Sequence, residues 1–172
     1  MIFDPKSEAA YMALSNRAHL ELAHHVCKQL HYELIPFEAL DTNNQAIYHT
    51  NVMMWIGNQV AMVCFDSIRD SQKAQLIKRR LESSGRLVLS LSQQQVRSFA
   101  GNMQELTTFS AINGDPSSHL LLSSTAHKSL SLEEIERLEQ YVQLKTVSIP
   151  TIEMAGGSIR CMLATIHLPA LV

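Results

Sequence analysis

The chain has 172 residues, 46% hydrophobic and 17% charged, and its fourteen Lys and Arg against sixteen Asp and Glu leave a formal net charge of −2. That length suits one domain of roughly 100–200 residues with a core large enough to need no disulfide or metal staple, and the charge balance excludes a basic nucleic-acid footprint. No stretch approaches the ~20 apolar residues of a membrane span, and the N-terminus lacks a signal-peptide layout. Three cysteines without CxxC spacing argue against a disulfide framework and a zinc ribbon, so a soluble, cytoplasmic protein is expected.

In chain order, three stretches read as the same strand–helix–strand unit. Ala10 to Ser15 is a short apolar run, followed by a helical pattern from Arg17 to Leu30 with Leu20, Ala23, Cys27 and Leu30 on one face. Tyr32 to Phe37 reads as the returning strand. Ile47 to Ile56 alternates polar and apolar residues like an extra strand, which puts His49 and Asn51 on one side. Val60 to Phe65 suits a strand buried on both faces. The spacing then predicts a helix over Ser71 to Glu82, with Ala74, Ile77 and Leu81 inward and Gly85 ending it, and a strand over Arg86 to Leu91. Lys78-Arg79-Arg80 reads as a solvated outward face of that helix.

Ser92 to Phe99 is expected to form a helical turn, and Asn102 to Phe109 a further element. The third unit runs from the strand His119 to Ser124 into a helix opened by Ser131-Leu132-Glu133-Glu134, a capping-box spacing, and returns over Thr146 to Ile149. First strands near residues 10, 60 and 119 recur at a period of about 50 to 60 residues, which marks units that pack beside one another. The expected organisation is one domain with repeats at approximately 1–43, 44–97 and 98–150 and a closing segment 151–172.

Three segments can carry chemistry. Thr151 to Leu163 holds Gly156-Gly157-Ser158 ahead of Arg160-Cys161, so backbone freedom lies just before a thiol whose thiolate a neighbouring guanidinium can favour. On its own, Cys161 is equally readable as a small apolar residue heading a strand from Met162 to His167. Cys27 and Cys64 fall on inward faces and read as core. His49 can act as an acid/base to a thiol, or simply as a hydrogen-bonded strand histidine. Gly101-Asn102 after a helical turn suits a left-handed turn presenting a side-chain amide. His24 and His25 diverge by about 100° on a helix, poor metal-ligand geometry. His19, His31, His119, His127 and His167 show no partner pattern, so neither a metal nor any cofactor is expected.

Together, YHTNVMM (48–54), SFAGNMQEL (98–106) and TIEMAGGSIRCMLA (151–164) resemble the arginine deiminase and amidinotransferase superfamily. The likeness is strongest to its citrulline-utilisation hydrolase branch, and the motifs keep the same order along the whole chain. The resemblance implies an α/β pentein fold (α/β propeller) with five ββαβ units around a central active site, of which this chain holds about three. It implies a cysteine hydrolase of guanidino or ureido amino acids, with Cys161 as nucleophile, His49 as general acid/base, and Asn51, Asn102, Glu153 and Arg160 at the substrate.

Two departures carry weight. Arginine deiminases proper have His-x-Asp where this chain has His49-x-Asn51, and a neutral amide stabilises a guanidinium less. The glycine-flanked carboxylate that grips substrate in the family precedes the position matched by Met1 to Asp4. The chain is therefore expected to be the C-terminal three-fifths of the fold, truncated, and completed either as a homo-oligomer or by a complementing N-terminal chain. The rival reading is a non-catalytic pentein-like protein or inactive remnant acting by association. No nucleic-acid or membrane partner is expected.

Overall fold

The computed structural model describes residues 1–109 and 114–165, whose nine strands form three separate three-stranded sheets with the same wiring. In the first sheet β1 (Ile2–Asp4) runs antiparallel to β2 (Ala9–Leu14), and β2 pairs in parallel with β3 (Glu33–Glu38). A parallel pair needs a crossover, and α1 (Leu20–Leu30) supplies it. The second sheet repeats the pattern with β4 (Met54–Ile56), β5 (Val60–Val63), α2 (Ser71–Ser83) and β6 (Leu87–Ser90).

After α3 (Gln93–Arg97), the third sheet contains β7 (Gln104–Phe109), β8 (Pro116–Ser123) and β9 (Gln143–Val147). Its crossover is split into α4 (Ser124–Ser129) and α5 (Leu132–Glu139). The chain closes with α6 (Pro150–Met154) and α7 (Ile159–Met162). This is the mixed α/β, three-unit partial pentein architecture.

Local chemistry explains most of these elements. The middle strands β2 and β5 are apolar because they lie between two neighbours and under a helix: all of β5 is buried, and so is β2 up to Ala13, whereas β8 is polar in its first half. Asp70 caps α2 by accepting from the amides of Gln72 and Lys73, and Gly85 ends it at φ +80°. Ile77 and Leu81 of α2 are fully buried. Ser92 with Gln95 and Ser131 with Glu134 each close a capping box. The Gln95 amide also donates to both Glu134 oxygens, at 3.0 and 2.8 Å, so the two helix starts are tied together.

Several elements differ from the sequence reading. The segment Ile47 to Ile56 is no continuous strand: Thr50–Val52 forms a 3-10 turn, and only Met54–Ile56 pairs with β5. The cause is Thr50, whose hydroxyl accepts the Ala13 amide at 2.9 Å and draws the residue into the core. Helix α1 begins at Leu20 rather than Arg17, because His19 caps it through Nδ1. Its buried residues are Ala23 and Cys27, while Leu20 and Leu30 are exposed. β9 starts at Gln143 and ends at Val147, earlier than the predicted Thr146 to Ile149, and α4 was not foreseen. Met162 lies in a helix rather than a strand, and His167 lies outside the described residues.

Buried polar joints connect the sheets. Asp4, 0% exposed, takes a forked ion pair from Arg86 at 2.6 and 3.0 Å, and the same guanidinium donates to the Gly57 carbonyl at 2.6 Å. This joins the first sheet to the second. Glu105 on β7 accepts from the amide and side chain of Asn58, at 2.9 and 3.2 Å, joining the second to the third. Gly57 makes that approach feasible, since a Cβ there would lie 2.1 Å from the Glu105 carboxylate. Among the described residues no helix is long and apolar enough to cross a membrane.

Candidate active site

Three loops meet where the units converge. The first, at 47–53, is strapped over the end of β2 by the Thr50 bond and by Ser15, whose hydroxyl donates to the Tyr48 carbonyl at 2.9 Å. The second follows α3. Phe99, rather than the glycine, takes the left-handed conformation at φ 64°, which turns the chain back. Gly101 is needed for contact instead: a Cβ there would lie 2.3 Å from the Val52 carbonyl. The turn thus packs on the first loop and presents Asn102, 2% exposed.

The third loop joins α6 to α7. Pro150 opens α6, where its missing amide costs nothing. Gly156 has φ +85°, and buried Ser158 precedes α7, which carries Arg160 and Cys161. Glu153 accepts from Thr125 at 2.6 Å and from Ser158 at 3.2 Å. Both its oxygens are therefore engaged in holding this loop against the third unit.

Asn102 is the hub. Its amide donates to the Asn51 carbonyl at 2.9 Å and to the Cys161 sulfur at 3.4 Å, and its oxygen accepts from the Arg160 amide at 3.1 Å. Cys161 is exposed and lines a cavity of about 390 Å³ together with Tyr48, Val52, Phe99, Asn102 and Gly156. Burial lowers the pKa of the adjacent Arg160 guanidinium, with Cys161 opposing the shift. Asn51 contributes its main chain to the hub, while its buried side-chain oxygen meets no partner among the described residues.

His49 faces elsewhere. It lines a separate cavity of about 210 Å³ that also holds Arg17, His19 and Thr50. Its pKa is lowered, first by burial and then by the charges of the Met1 amine and Arg17. The expectation that His49 and Asn51 share a strand face is overturned, because His49 precedes the 3-10 turn and Asn51 lies inside it. The structure therefore brings Cys161, Asn102, Arg160 and the Asn51 backbone together, ties Glu153 to Thr125 and Ser158, and places His49 in a different cavity.

Tyr48 and Arg17 are the residues that sequence reasoning missed. Tyr48 lines both cavities, packs its ring 4.9 Å from that of His49, and donates its hydroxyl to the Gly156 carbonyl at 2.9 Å. The Arg17 guanidinium lies 5.3 Å over the Tyr48 ring. The available signal was the aromatic directly preceding His49, read instead as one apolar position of a strand. Among the described residues no group of three or more His, Cys, Asp and Glu is placed to hold a metal ion.

A family model described as N,N dimethylarginine dimethylhydrolase, eukaryotic, matches residues 1–168. No curated protein sequence matches the chain. Among solved structures, the arginine dihydrolase ArgZ of the ornithine-ammonia cycle in Cyanobacteria is 16% identical, with a TM-score of 0.67 over 94% of this chain and 23% of that one. Its N-terminal domain bound to product is 16% identical, with a TM-score of 0.66 over 94% of this chain and 52% of the domain. Unliganded AgrE is 15% identical, with a TM-score of 0.67 over 94% of this chain and 21% of its own. The chain thus spans about half of the ArgZ N-terminal domain and under a quarter of the two full-length chains, and at these identities the likeness is one of fold. By the extent of the family match, the chain belongs to the N,N dimethylarginine dimethylhydrolase family, within the pentein/amidinotransferase superfamily.

Proposed function

We propose that this chain carries the thiol side of a hydrolase that opens a C–N bond of a guanidino or ureido amino acid. The observation that carries the reading is the exposed Cys161 thiol at the mouth of a cavity, held by the buried Asn102 amide. On a guanidino substrate, the Cys161 thiolate adds to the central carbon. The C–N bond to the leaving amine then breaks as His49 donates a proton to its nitrogen, leaving a thiouronium adduct. Water, giving a proton back to His49, adds to the same carbon, and the C–S bond breaks to return the thiolate and release the ureido product. Arg160 and Arg17 offer guanidinium groups to a substrate carboxylate. A neutral Asn51 where arginine deiminases carry an aspartate stabilises a guanidinium less, which favours an uncharged ureido group such as that of citrulline. Three free thiols fit the reducing cytoplasm.

A second reading has its own observation. His49 and Cys161 open to different cavities, and Asp41, the carboxylate lining the thiol cavity, has one oxygen occupied by the Asn43 and Gln45 amides. On that reading the chain acts only in association, with a second copy or a complementing chain of the same fold supplying a substrate-gripping carboxylate. The test for both is amine or ammonia release from citrulline, arginine, agmatine and dimethylarginine by the chain and by Cys161→Ala. Release that disappears in Cys161→Ala supports the hydrolase, and equal background from both overturns it for the chain alone. Light scattering addresses association: a clean monomer at micromolar concentration counts against self-completion.

A further inference from the structure

The position of Tyr48 has a role that neither the fold nor the nucleophile requires. Tyr48 lines both the cavity of Cys161 and the cavity of His49. Its hydroxyl reaches the Gly156 carbonyl across 108 residues of sequence, at the turn that leads into α7. Gly156 has φ +85°, and a Cβ there would meet no atom within 4 Å, so the turn sits in open space and Tyr48 is its tie to the 47–53 loop. On the other side, the ring packs against one side of the exposed His49 imidazole and seats the Arg17 guanidinium.

We infer that Tyr48 is a positioning residue whose ring partitions the thiol cavity from the histidine cavity and whose hydroxyl latches the Gly156 turn, so that Cys161 and His49 share one space only when the latch releases. The inference builds on the thiol-hydrolase reading for its consequence, but its test reads no turnover. Latching without hydrolysis and hydrolysis without latching therefore give different results.

Tyr48→Phe keeps the ring and removes only the bond to Gly156. Amide hydrogen exchange over 155–162 should speed up by about two- to tenfold, the weight of one hydrogen bond, with β5 exchanging as before. Unchanged exchange over 155–162 overturns the latch. Tyr48→Ala removes the partition as well. The His49 titration midpoint, followed by the NMR signal of its ring, should then rise toward the ordinary value as the imidazole gains water. The groups facing it in that cavity are Arg17, His19 and the Met1 amine, all retained in the variant. A purely structural Tyr48 would leave that midpoint at its wild-type value in a folded Tyr48→Ala chain, and this result overturns the partition.

Discussion

Asn102 donates its side-chain amide to the Cys161 sulfur at 3.4 Å while its oxygen accepts the Arg160 amide at 3.1 Å, so one buried side chain fixes both the thiol and the backbone that carries it. The same amide reaches the Asn51 carbonyl, which makes Asn102 the joint between the 47–53 loop and α7.

Removing that joint should cost stability and change thiol chemistry separately. Asn102→Ala strips the Asn51 carbonyl of its partner and leaves the Arg160 amide only its longer 3.4 Å bond to the backbone carbonyl of residue 102, a loss of about 1–3 kcal/mol in urea unfolding. Asn102→Asp keeps the shape but sets a carboxylate beside the sulfur, which disfavours the thiolate. Alkylation of Cys161 by iodoacetamide at neutral pH, followed by mass spectrometry, should be slower in Asn102→Asp than in the wild type.

The Asp4–Arg86 pair joins the first two sheets with side chains 0% and 3% exposed. Arg86→Met strands a buried carboxylate and should cost about 3–5 kcal/mol in denaturant unfolding. Adding Asp4→Leu removes the uncompensated charge, so the double variant should recover much of the loss. A double variant no more stable than Arg86→Met would show that the pair's value lies in something other than its charges.

His49 is exposed, and its pKa is lowered from the ordinary 6.5 by partial burial first, then by the charges of the Met1 amine and Arg17, so solvent screening keeps its stability contribution small. The folded state therefore binds fewer protons than the unfolded chain between the two midpoints. The stability contribution is full above about 6.5 and falls as pH drops through the lower folded midpoint. Arg17→Gln should raise the NMR midpoint of His49 only part of the way, since burial is the larger cause. A midpoint unmoved by Arg17→Gln would separate that charge from the imidazole.

Tyr11 is fully buried in β2, and its hydroxyl meets no hydrogen-bond partner among the described residues. Burial, followed by the charge of Asp4, pushes its pKa up to about 12. Ultraviolet difference titration should show one tyrosine ionising well after the others. Tyr11→Phe removes an unsatisfied polar group at nearly constant shape, so stability should hold or rise by about 1 kcal/mol. A marked loss in thermal unfolding would mean that the hydroxyl is satisfied in solution.

The elements most legible in the sequence were those whose signals are local. Gly85 ends α2, Ser131 with Glu134 opens α5, and the unbroken apolar run of β5 marks a strand enclosed on both faces. The motif segments around His49, Asn102 and Cys161 could be read too, because each is a short contiguous string. The alternation from Ile47 to Ile56 misled because a 3-10 turn and a short strand placed end to end mimic a pleat. Of the face that periodicity gives helix α1, Ala23 and Cys27 are buried while the leucines at its two ends, Leu20 and Leu30, stay exposed.

By itself, then, the sequence determined the order of the three strand–helix–strand units, the Ser131–Glu134 cap and the superfamily of the chain, since all of these reside in neighbouring residues. Which side chains share a cavity was decided only by the tertiary structure. That outcome depends on bonds across 37 residues from Ala13 to Thr50, 51 from Asn51 to Asn102, and 108 from Tyr48 to Gly156. Each turns a loop residue in a direction that local periodicity does not encode, because irregular backbone has no repeat to set where a side chain points. That His49 and Cys161 line different cavities follows from those bonds.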